Sequence, residues 1–400
     1  MRYLITIIFT LSIITGCTGK FDADHYLNYC YEKVKRTLNE LDSTGYKKFP
    51  RSIEHGKSEW HTVDYNDWTS GFWPGILWET YEYTHDENIK AKADSFTMAM
   101  EPVTHHKAET HDLGFMVFTS FGNGYRLTQN LEYKKDILQA SDSLATLFNP
   151  KVGTILSWPG MVKKMGWPHN TIIDNMMNLE MLFWASHNGE NRQLYNIADT
   201  HAETTLKNQF RPDFSCYHVV VYDTVTGKKI KGVTHQGYSD NSMWARGQAW
   251  AIYGFTMSYR ETHKKEYLNL VRKAAEIYLK RLPSDLVPYW DFDCPDIPNT
   301  SRDVSASAIT ASALLELSVI DDNKEEGKHY FDVAKKMLIS LSSDKYLSGD
   351  KNSAFLLHST GHKPNNSEVD VSIIYTDYYY LEALMRYKKI QEGRSIYDNL

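Results

Sequence analysis

The sequence predicts an all-α fold, an (α/α)6 toroid in which six helical hairpins close into a ring around a central funnel, with a small β-hairpin inserted. Three observations support this prediction. Apolar residues recur with helical spacing along most of the chain. Short polar breaks such as Asn130 and Asp321 separate the periodic segments, and aromatic-rich segments alternate with segments that carry lysine and glutamate on one face. An irregular helical bundle or an α-solenoid also fits this periodicity.

The alternation assigns each segment to one of two layers, since low charge and many aromatic residues are typical of helices buried on every side. Short turns make consecutive helices antiparallel. The predicted inner helices are residues 70–85, 113–129, 173–187, 244–262, 304–319 and 371–390. The predicted outer helices are residues 24–42, 89–106, 132–148, 191–209, 264–281 and 326–343. The β-hairpin is predicted where residues 217–221 and 229–233 flank Thr226 and Gly227.

Composition excludes several function classes. The chain has 400 residues without a linker or low-complexity tract, which favours a single catalytic or binding domain over residues 24–400. Its net charge of -6 argues against nucleic-acid binding, so an anionic ligand would need a local positive charge. The chain has no glycine-rich phosphate loop, and the spacing of His105, His106 and His111 matches no zinc pattern. We therefore expect no cofactor, no metal and no obligate protein partner.

The N-terminus has the pattern of a bacterial lipoprotein signal. A short positive start, Met1 and Arg2, precedes an apolar run too short to span a bilayer comfortably, and the run ends in ITGC at residues 14–17. This pattern predicts a signal peptide over residues 1–17, lipidation of Cys17 and a tether over residues 18–23. The protein would then be periplasmic in the cell envelope, with its lipid as the one membrane contact. An ordinary secretory signal cut nearby is the alternative.

Two aspartates are candidates for acid–base chemistry. Asp174 lies in an apolar segment predicted as an inner helix, where loss of hydration raises the pKa of a carboxyl group, as a general acid requires. Helix capping is the alternative for Asp174, but Ile172 and Ile173 before it weaken that explanation. Asp112 directly precedes an apolar helix, where a helix cap is the commoner role, but that position would also face a ligand in a toroid.

A third group of residues has the chemistry of a sugar-binding site. Residues 234–240 (THQGYSD) and 244–250 (WARGQAW) gather rings, amides and one guanidinium, and indole faces stack well on sugar rings. The candidate ligand contacts are Gln236, Arg246, Trp250, Trp68, Trp158 and His218. His218 lies among valines of the predicted hairpin, so a structural role is at least as good an explanation for it.

These motifs together resemble the unsaturated glucuronyl hydrolases of glycoside hydrolase family 88. The resemblance covers roughly residues 55–390. It rests on residues 71–75 (GFWPG), 111–115 (HDLGF), the Asp174 segment, 235–250, 288–293 (PYWDFD), 302–308 and 358–361 (HSTG). It implies an (α/α)6 toroid that acts on the 4,5-unsaturated uronic acid left by polysaccharide lyases. Asp174 matches the family's general acid/base and Asp112 its second essential carboxylate. The six candidate ligand contacts match sugar-contacting positions.

The chemistry implied by the resemblance differs from ordinary glycoside cleavage, because the C4=C5 bond of this substrate is an enol ether. Asp174 would protonate C4 and then activate water for addition at C5, while Arg246 or His218 would offset the charge of the uronate. Two alternatives stay open: an unsaturated rhamnogalacturonyl hydrolase of pectin breakdown, and a non-catalytic glycan-binding lipoprotein. The parent polysaccharide also stays open among heparin, chondroitin, hyaluronan, ulvan, xanthan and gellan.

Overall fold

The computed structural model of the protein describes residues 21–397. The predicted signal peptide and Cys17 therefore lie outside the described residues. The α-helices are α1 (Ala23–Leu41), α2 (Phe72–Thr84), α3 (Glu87–Ala99), α4 (Glu101–His105), α5 (Asn123–Thr128), α6 (Leu131–Ala145), α7 (Pro159–Met165), α8 (Leu179–Asn188), α9 (Gln193–Asn208), α10 (Ala245–Thr262), α11 (Lys265–Arg281), α12 (Val304–Ile320), α13 (Lys324–Leu341) and α14 (Ile374–Gln391). No described helix is both long and apolar enough to cross a membrane.

Six helical elements form a closed inner ring. In order they are α2, a π-helix (Gly114–Gly122) that continues into α5, a 3-10 turn (Ile173–Asn178) that continues into α8, α10, α12 and α14. Each packs on the next, and α14 packs back on α2. The outer helices α3, α6, α9, α11 and α13 pack on the inner helices that precede them, and α1 packs on α14. The predicted toroid is confirmed, with its sixth pair made by the first and last helices rather than by a sequential hairpin.

Burial explains the two layers. Every residue of α12 from Val304 to Leu317 is buried, and the polar ones are mostly small serines and threonines that fit between helices. In α11, by contrast, the buried residues recur every three or four positions, so one stripe faces the ring and the charged remainder faces solvent. Segments that differ in composition along the sequence therefore lie in different layers of the fold.

The inner helices run parallel, with their N-terminal ends at the same end of the ring. The opposite end is filled by ion pairs between inner helices. Arg126 pairs with Glu79 and Glu82 at 3.2 and 2.8 Å, and Glu316 pairs with Arg260 and Arg386 at 2.7 and 3.1 Å. All six side chains are at most 14% exposed. Because these charges compensate one another, they can be buried together at the lower end of the ring.

Three small sheets cover the upper end, whereas the sequence predicts a single hairpin. The strands are β1 (Phe49–Ile53), β2 (His61–Val63), β3 (Phe148–Asn149), β4 (Thr154–Ile155), β5 (His169–Ile172), β6 (Val219–Tyr222), β7 (Lys229–Val233), β8 (Ser359–His362) and β9 (Ser367–Ile373). They pair antiparallel in the orders β2-β1-β9-β8, β3-β4 and β5-β6-β7. The predicted hairpin is β6–β7, and β5 adds a third strand to it. Of the other five pairings, β1–β9 and β5–β6 join distant segments, which local periodicity does not reveal.

Several predicted helices are wrong in detail. The segment 113–129 is a π-helix followed by an α-helix, 173–187 begins as a 3-10 turn, and 371–390 begins as the end of strand β9. The segment 89–106 breaks at Met100, before Pro102. The π-helix begins at Gly114, where a Cβ atom would lie 2.5 Å from Cα of Asn178. Only glycine therefore allows the π-helix and the 3-10 turn to approach this closely.

Candidate active site

A cavity of about 550 Å³ opens at the upper end of the ring. Its lining comes from the starts of the inner helices and from the sheets above them. Six of the eight predicted site residues line it: Trp68, Asp112, Trp158, Asp174, Gln236 and Arg246. The other two, His218 and Trp250, are buried and contact lining residues. The fold thus brings together all eight residues, which are spread along the chain from Trp68 to Trp250.

Asp174 lies at the floor of the cavity, in the first turn of the 3-10 segment after β5. Its side chain is 13% exposed, and its Oδ2 atom is buried without a hydrogen-bond partner among the described residues. Burial raises the pKa of this carboxyl group to about 7, and the charge of Asp112 acts in the same direction, although Arg246 opposes it. The side chain caps no helix. Asp174 therefore holds a proton near neutral pH, as the sequence predicts.

His218 faces Asp174 and is fixed in its neutral form. Its Nδ1 atom accepts hydrogen bonds from the backbone N–H groups of His235 and Gln236, both at 3.1 Å. The ring proton must then be on Nε2, which lies 3.7 Å from Oδ2 of Asp174. Burial and the neighbouring positive groups hold the pKa of His218 well below its usual value. A neutral ring offers a hydrogen bond and no charge, so the geometry does not favour His218 for offsetting the charge of the uronate, and that role stays a prediction.

Arg246, the other residue predicted to offset that charge, is already neutralised. Its guanidinium lies 2.8 Å from Oδ2 of Asp303 and also donates to the carbonyl oxygens of Thr360 and Gly361. Asp303 begins α12, 57 residues further along the chain, so the sequence gives no sign of this pairing. Arg246 still lowers the pKa of Asp174 by its proximity. Arg246 therefore shapes the wall of the cavity and adds little net positive charge to it.

Asp112 is the second carboxyl group of the cavity. It directly precedes Leu113 and the π-helix, and its side chain caps no helix, which removes the capping explanation. Thr110 donates a hydrogen bond to Oδ2, and Nε2 of His111 lies 3.3 Å from Oδ1. Nδ1 of His111 accepts from the Asn178 amide at 3.0 Å, so the ring proton points to Asp112. Thr110 thus holds Asp112, while His111 lies beside it with Nε2 unpartnered within the described residues, a contact that the sequence analysis did not identify.

Aromatic rings form two walls. Trp68 packs between Phe115 and Tyr375, with ring centroids 5.7 and 5.3 Å away. Trp158 stands edge-on to His218 and His235 on the other side, at 5.6 and 5.4 Å. These two indoles are partly exposed to the cavity and can contact a sugar.

Trp250 has a different place from the other two indoles. It is 1% exposed behind Phe115, so it offers no stacking face, and a hydrogen bond from it lowers the pKa of Asp174. In this structure the indole contacts the acid, and its contact with the sugar stays a prediction.

The mouth contains residues that the sequence analysis missed. Gln236, which it included, donates to the Gly361 carbonyl at 3.2 Å. The missed residues that line the cavity are Arg51, Glu109, His111, Lys164, His235, His362, Ser367, Glu368 and Tyr375. Most of these residues belong to the edges of the sheets or to α7. They come close together only because segments that are distant in the sequence pair in the fold. Two groups of potential metal ligands among the described residues, His55 with His358 and Asp370, and Glu101 with His105 and Asp136, both lie outside the cavity lining.

The arrangement suits general acid catalysis on a ring-shaped polar ligand. A protonated carboxyl group, a neutral imidazole N–H and a second, oriented carboxyl group meet at the floor of a cavity with aromatic walls. Oδ2 of Asp174 and Nε2 of His218 are both buried, unpartnered within the described chain and directed at each other. Such atoms mark the place where a ligand or reacting water completes the hydrogen bonding.

Comparison with known proteins agrees with this geometry. The model of the family described as Glycosyl Hydrolase Family 88 matches residues 36–395. An unsaturated glucuronyl hydrolase from Formosa agariphila is 46% identical over 363 residues, covering 89% of this chain and 89% of the relative.

Two solved structures extend the comparison. One is an unsaturated glucuronyl hydrolase specific for heparin (41% identity, TM-score 0.86, covering 92% of this chain and 98% of that one). The other is a Streptococcus agalactiae unsaturated glucuronyl hydrolase mutant complexed with dGlcA-GalNAc6S (29% identity, TM-score 0.77, covering 92% of each chain).

Proposed function

The chain belongs to glycoside hydrolase family 88, and we propose that its reaction proceeds by hydration of an enol ether, with Asp174 as acid and then as base. The protein is an enzyme that removes the 4,5-unsaturated uronic acid from the non-reducing end of lyase-generated oligosaccharides. The observation that supports the mechanism best is the facing pair of unpartnered atoms, Oδ2 of Asp174 and Nε2 of His218.

The first step is proton transfer from Asp174 to C4 of the substrate. The C4=C5 double bond is electron-rich because the ring oxygen donates into it, so protonation at C4 leaves a cation at C5 that the ring oxygen stabilises. The pKa of about 7 suits this step, since a group with that value still holds its proton at neutral pH yet releases it readily. Trp68 and Trp158 would hold the sugar from either side, and Asp112 would accept hydrogen bonds from its hydroxyl groups.

The second step is addition of water at C5. The newly formed Asp174 carboxylate removes a proton from the water as its oxygen bonds to C5, which restores the acid. The Nε2–H group of His218 would donate to the same water and fix its position. The product is a hemiketal at C5. It opens by breaking the bond from C5 to the ring oxygen, and the resulting hemiacetal at C1 releases the remaining sugar as an alcohol.

The assay for this proposal follows the loss of ultraviolet absorbance as the conjugated uronate is consumed. We expect turnover of unsaturated glucuronyl disaccharides and at least about tenfold lower kcat/KM with an unsaturated galacturonyl-rhamnose disaccharide. The rate should fall as pH rises through about 7, because the pKa of the essential acid is raised to about that value and its proton is lost above it. Rates that keep rising to pH 9 (roughly two units above that pKa) would contradict Asp174 as the proton donor.

We further propose that the protein is held in the cell envelope, on the periplasmic side, by a lipid on Cys17. The support is the sequence pattern of residues 1–17. In the native bacterial host, the enzyme should fractionate with membranes and be released by detergent, whereas Cys17→Ser should leave it unlipidated. Mass spectrometry of the mature N-terminus checks this directly. An unmodified N-terminus that begins at another residue in the parent protein would contradict the anchor.

A further inference from the structure

Two imidazoles and one carboxylate meet on the sheet β2-β1-β9-β8, and none of the three lines the catalytic cavity. His55 follows β1, His358 directly precedes β8, and Asp370 belongs to β9. Because β9 pairs with both β1 and β8, the three side chains come together although His55 is far along the chain from the other two. Their spacing in the sequence matches no metal-binding motif, so only the fold reveals the group.

The carboxylate of Asp370 lies between the two rings. Its Oδ1 atom is 2.6 Å from Nδ1 of His358, and its Oδ2 atom is 3.1 Å from Nδ1 of His55. One nitrogen of each ring and one carboxylate oxygen lie within 4.8 Å of one another. A tetrahedral zinc ion with bonds of about 2.0–2.2 Å holds its ligand atoms roughly 3.4 Å apart. Shifts of under about 1 Å therefore bring all three ligand atoms to one metal ion.

The backbone holds two of these residues in an uncommon conformation. His358 and Asp370 have positive φ angles of 67° and 58°, a left-handed region that few residues with side chains adopt and that recurs at ligand sites. His55, by contrast, lies in the loop between β1 and β2, and its side chain is 68% exposed. A groove of about 980 Å³ opens beside all three residues. An ion can thus reach the group from solvent, and a water molecule has room to complete its coordination.

We infer that His55, His358 and Asp370 form a binding site for a zinc ion, which joins the strands β1, β8 and β9. Two imidazole nitrogens with one carboxylate oxygen are ligands that zinc prefers, whereas magnesium and calcium take oxygen ligands. Each neutral ring can offer Nδ1 to the metal once its proton is on Nε2. Gly361 of β8 and Glu368 of β9 line the catalytic cavity, so the ion stabilises strands that form the cavity mouth. Zinc binding involves no step of the proposed reaction and does not rest on it.

The test titrates zinc chloride into the metal-free enzyme, purified without a histidine tag, in a calorimeter. We expect zinc to bind at this site and to raise the melting temperature by about 3 °C when free zinc is about 100 times its dissociation constant. Magnesium chloride at the same concentration should leave the melting temperature unchanged. His55→Ala should weaken zinc binding at least about tenfold, and it should keep the fold because the side chain is exposed. Asp370→Asn should weaken it as well, since asparagine tolerates the positive φ but carries no charge.

Two other histidines provide matched controls. His61→Ala removes an exposed histidine that lines the same groove but does not belong to the group. His105→Ala disrupts the other group of potential metal ligands. Both variants should bind zinc as tightly as the parent enzyme. The inference is overturned if the parent binds no zinc, if His55→Ala and Asp370→Asn bind it as tightly as the parent, or if either control variant loses binding to the same extent as His55→Ala.

Discussion

Replacement of Asp174 by asparagine is expected to abolish turnover, with kcat at least about 10⁴-fold below that of the parent enzyme. A positioned acid or base contributes about 10²–10⁴ in rate, and Asp174 would serve in both roles within one cycle. The absorbance decay of an unsaturated disaccharide measures the loss. Because the amide has the same shape as the carboxyl group, substrate should still bind, which calorimetric titration of the variant can show.

The stability of this variant provides an independent check. The native carboxyl group keeps its proton up to about pH 7, whereas in the unfolded chain it ionises near its ordinary value of 3.8. The native state thus binds more protons between these values, and the parent loses stability as pH rises through that window. Asparagine carries no such cost, so the melting temperature of the variant relative to the parent should be higher at pH 8 than at pH 4.

Asp350→Asn is a suitable control, because Asp350 is 99% exposed in a surface ion pair with Arg36 and does not line the cavity. It should leave kcat unchanged. Near-normal turnover in Asp174→Asn, or an equal loss in the Asp350 variant, would contradict the assignment of Asp174 as the acid.

Replacement of Asp112 by asparagine should give the second largest effect, a loss of kcat/KM of about 10²–10³-fold. The variant removes a negative charge that raises the pKa of Asp174, so that pKa should fall. The alkaline limb of the pH–rate profile should accordingly move to lower pH. A structural role alone would not move this limb, which makes the full profile the decisive measurement.

Thr110→Val is the companion variant for Asp112. It removes the hydrogen bond to Oδ2 of Asp112 while both carboxyl groups remain. We expect an intermediate loss of activity with the alkaline limb unmoved. An Asp112→Asn enzyme whose limb stays in place would show that Asp112 does not act on the proton of Asp174.

The sequence predicts the ring well because its determinants are local. Helical periodicity, short polar turns and alternating composition are properties of neighbouring residues, and α10 and α12 are buried on all sides along most of their length, as their composition indicates. The sequence identifies Asp174 for the same reason, because the apolar residues next to it indicate that its carboxyl group loses hydration. The π-helix is missed because its longer turn produces a pattern close to that of an α-helix in so short a segment.

The remaining features depend on contacts between distant segments. From the sequence alone Arg246 is a free cation, but in the fold Asp303 lies beside it. From the sequence alone His218 is a possible cation, but in the fold two backbone N–H groups donate hydrogen bonds to its Nδ1 atom. Lys164 is one of two adjacent lysines in the sequence, and only the fold distinguishes the one that lines the cavity.

The ion pairs that fill the lower end of the ring also determine how a polymer can be attacked. Arg126, Glu316 and Arg386 lie buried at the lower end of the ring, so we expect a glycan to enter and leave the cavity by its upper mouth, terminal residue first. Each binding event would then remove one terminal sugar, and sugars inside a glycan chain would not reach the acid. We therefore expect the rate of depolymerisation to follow the supply of fresh ends from a lyase.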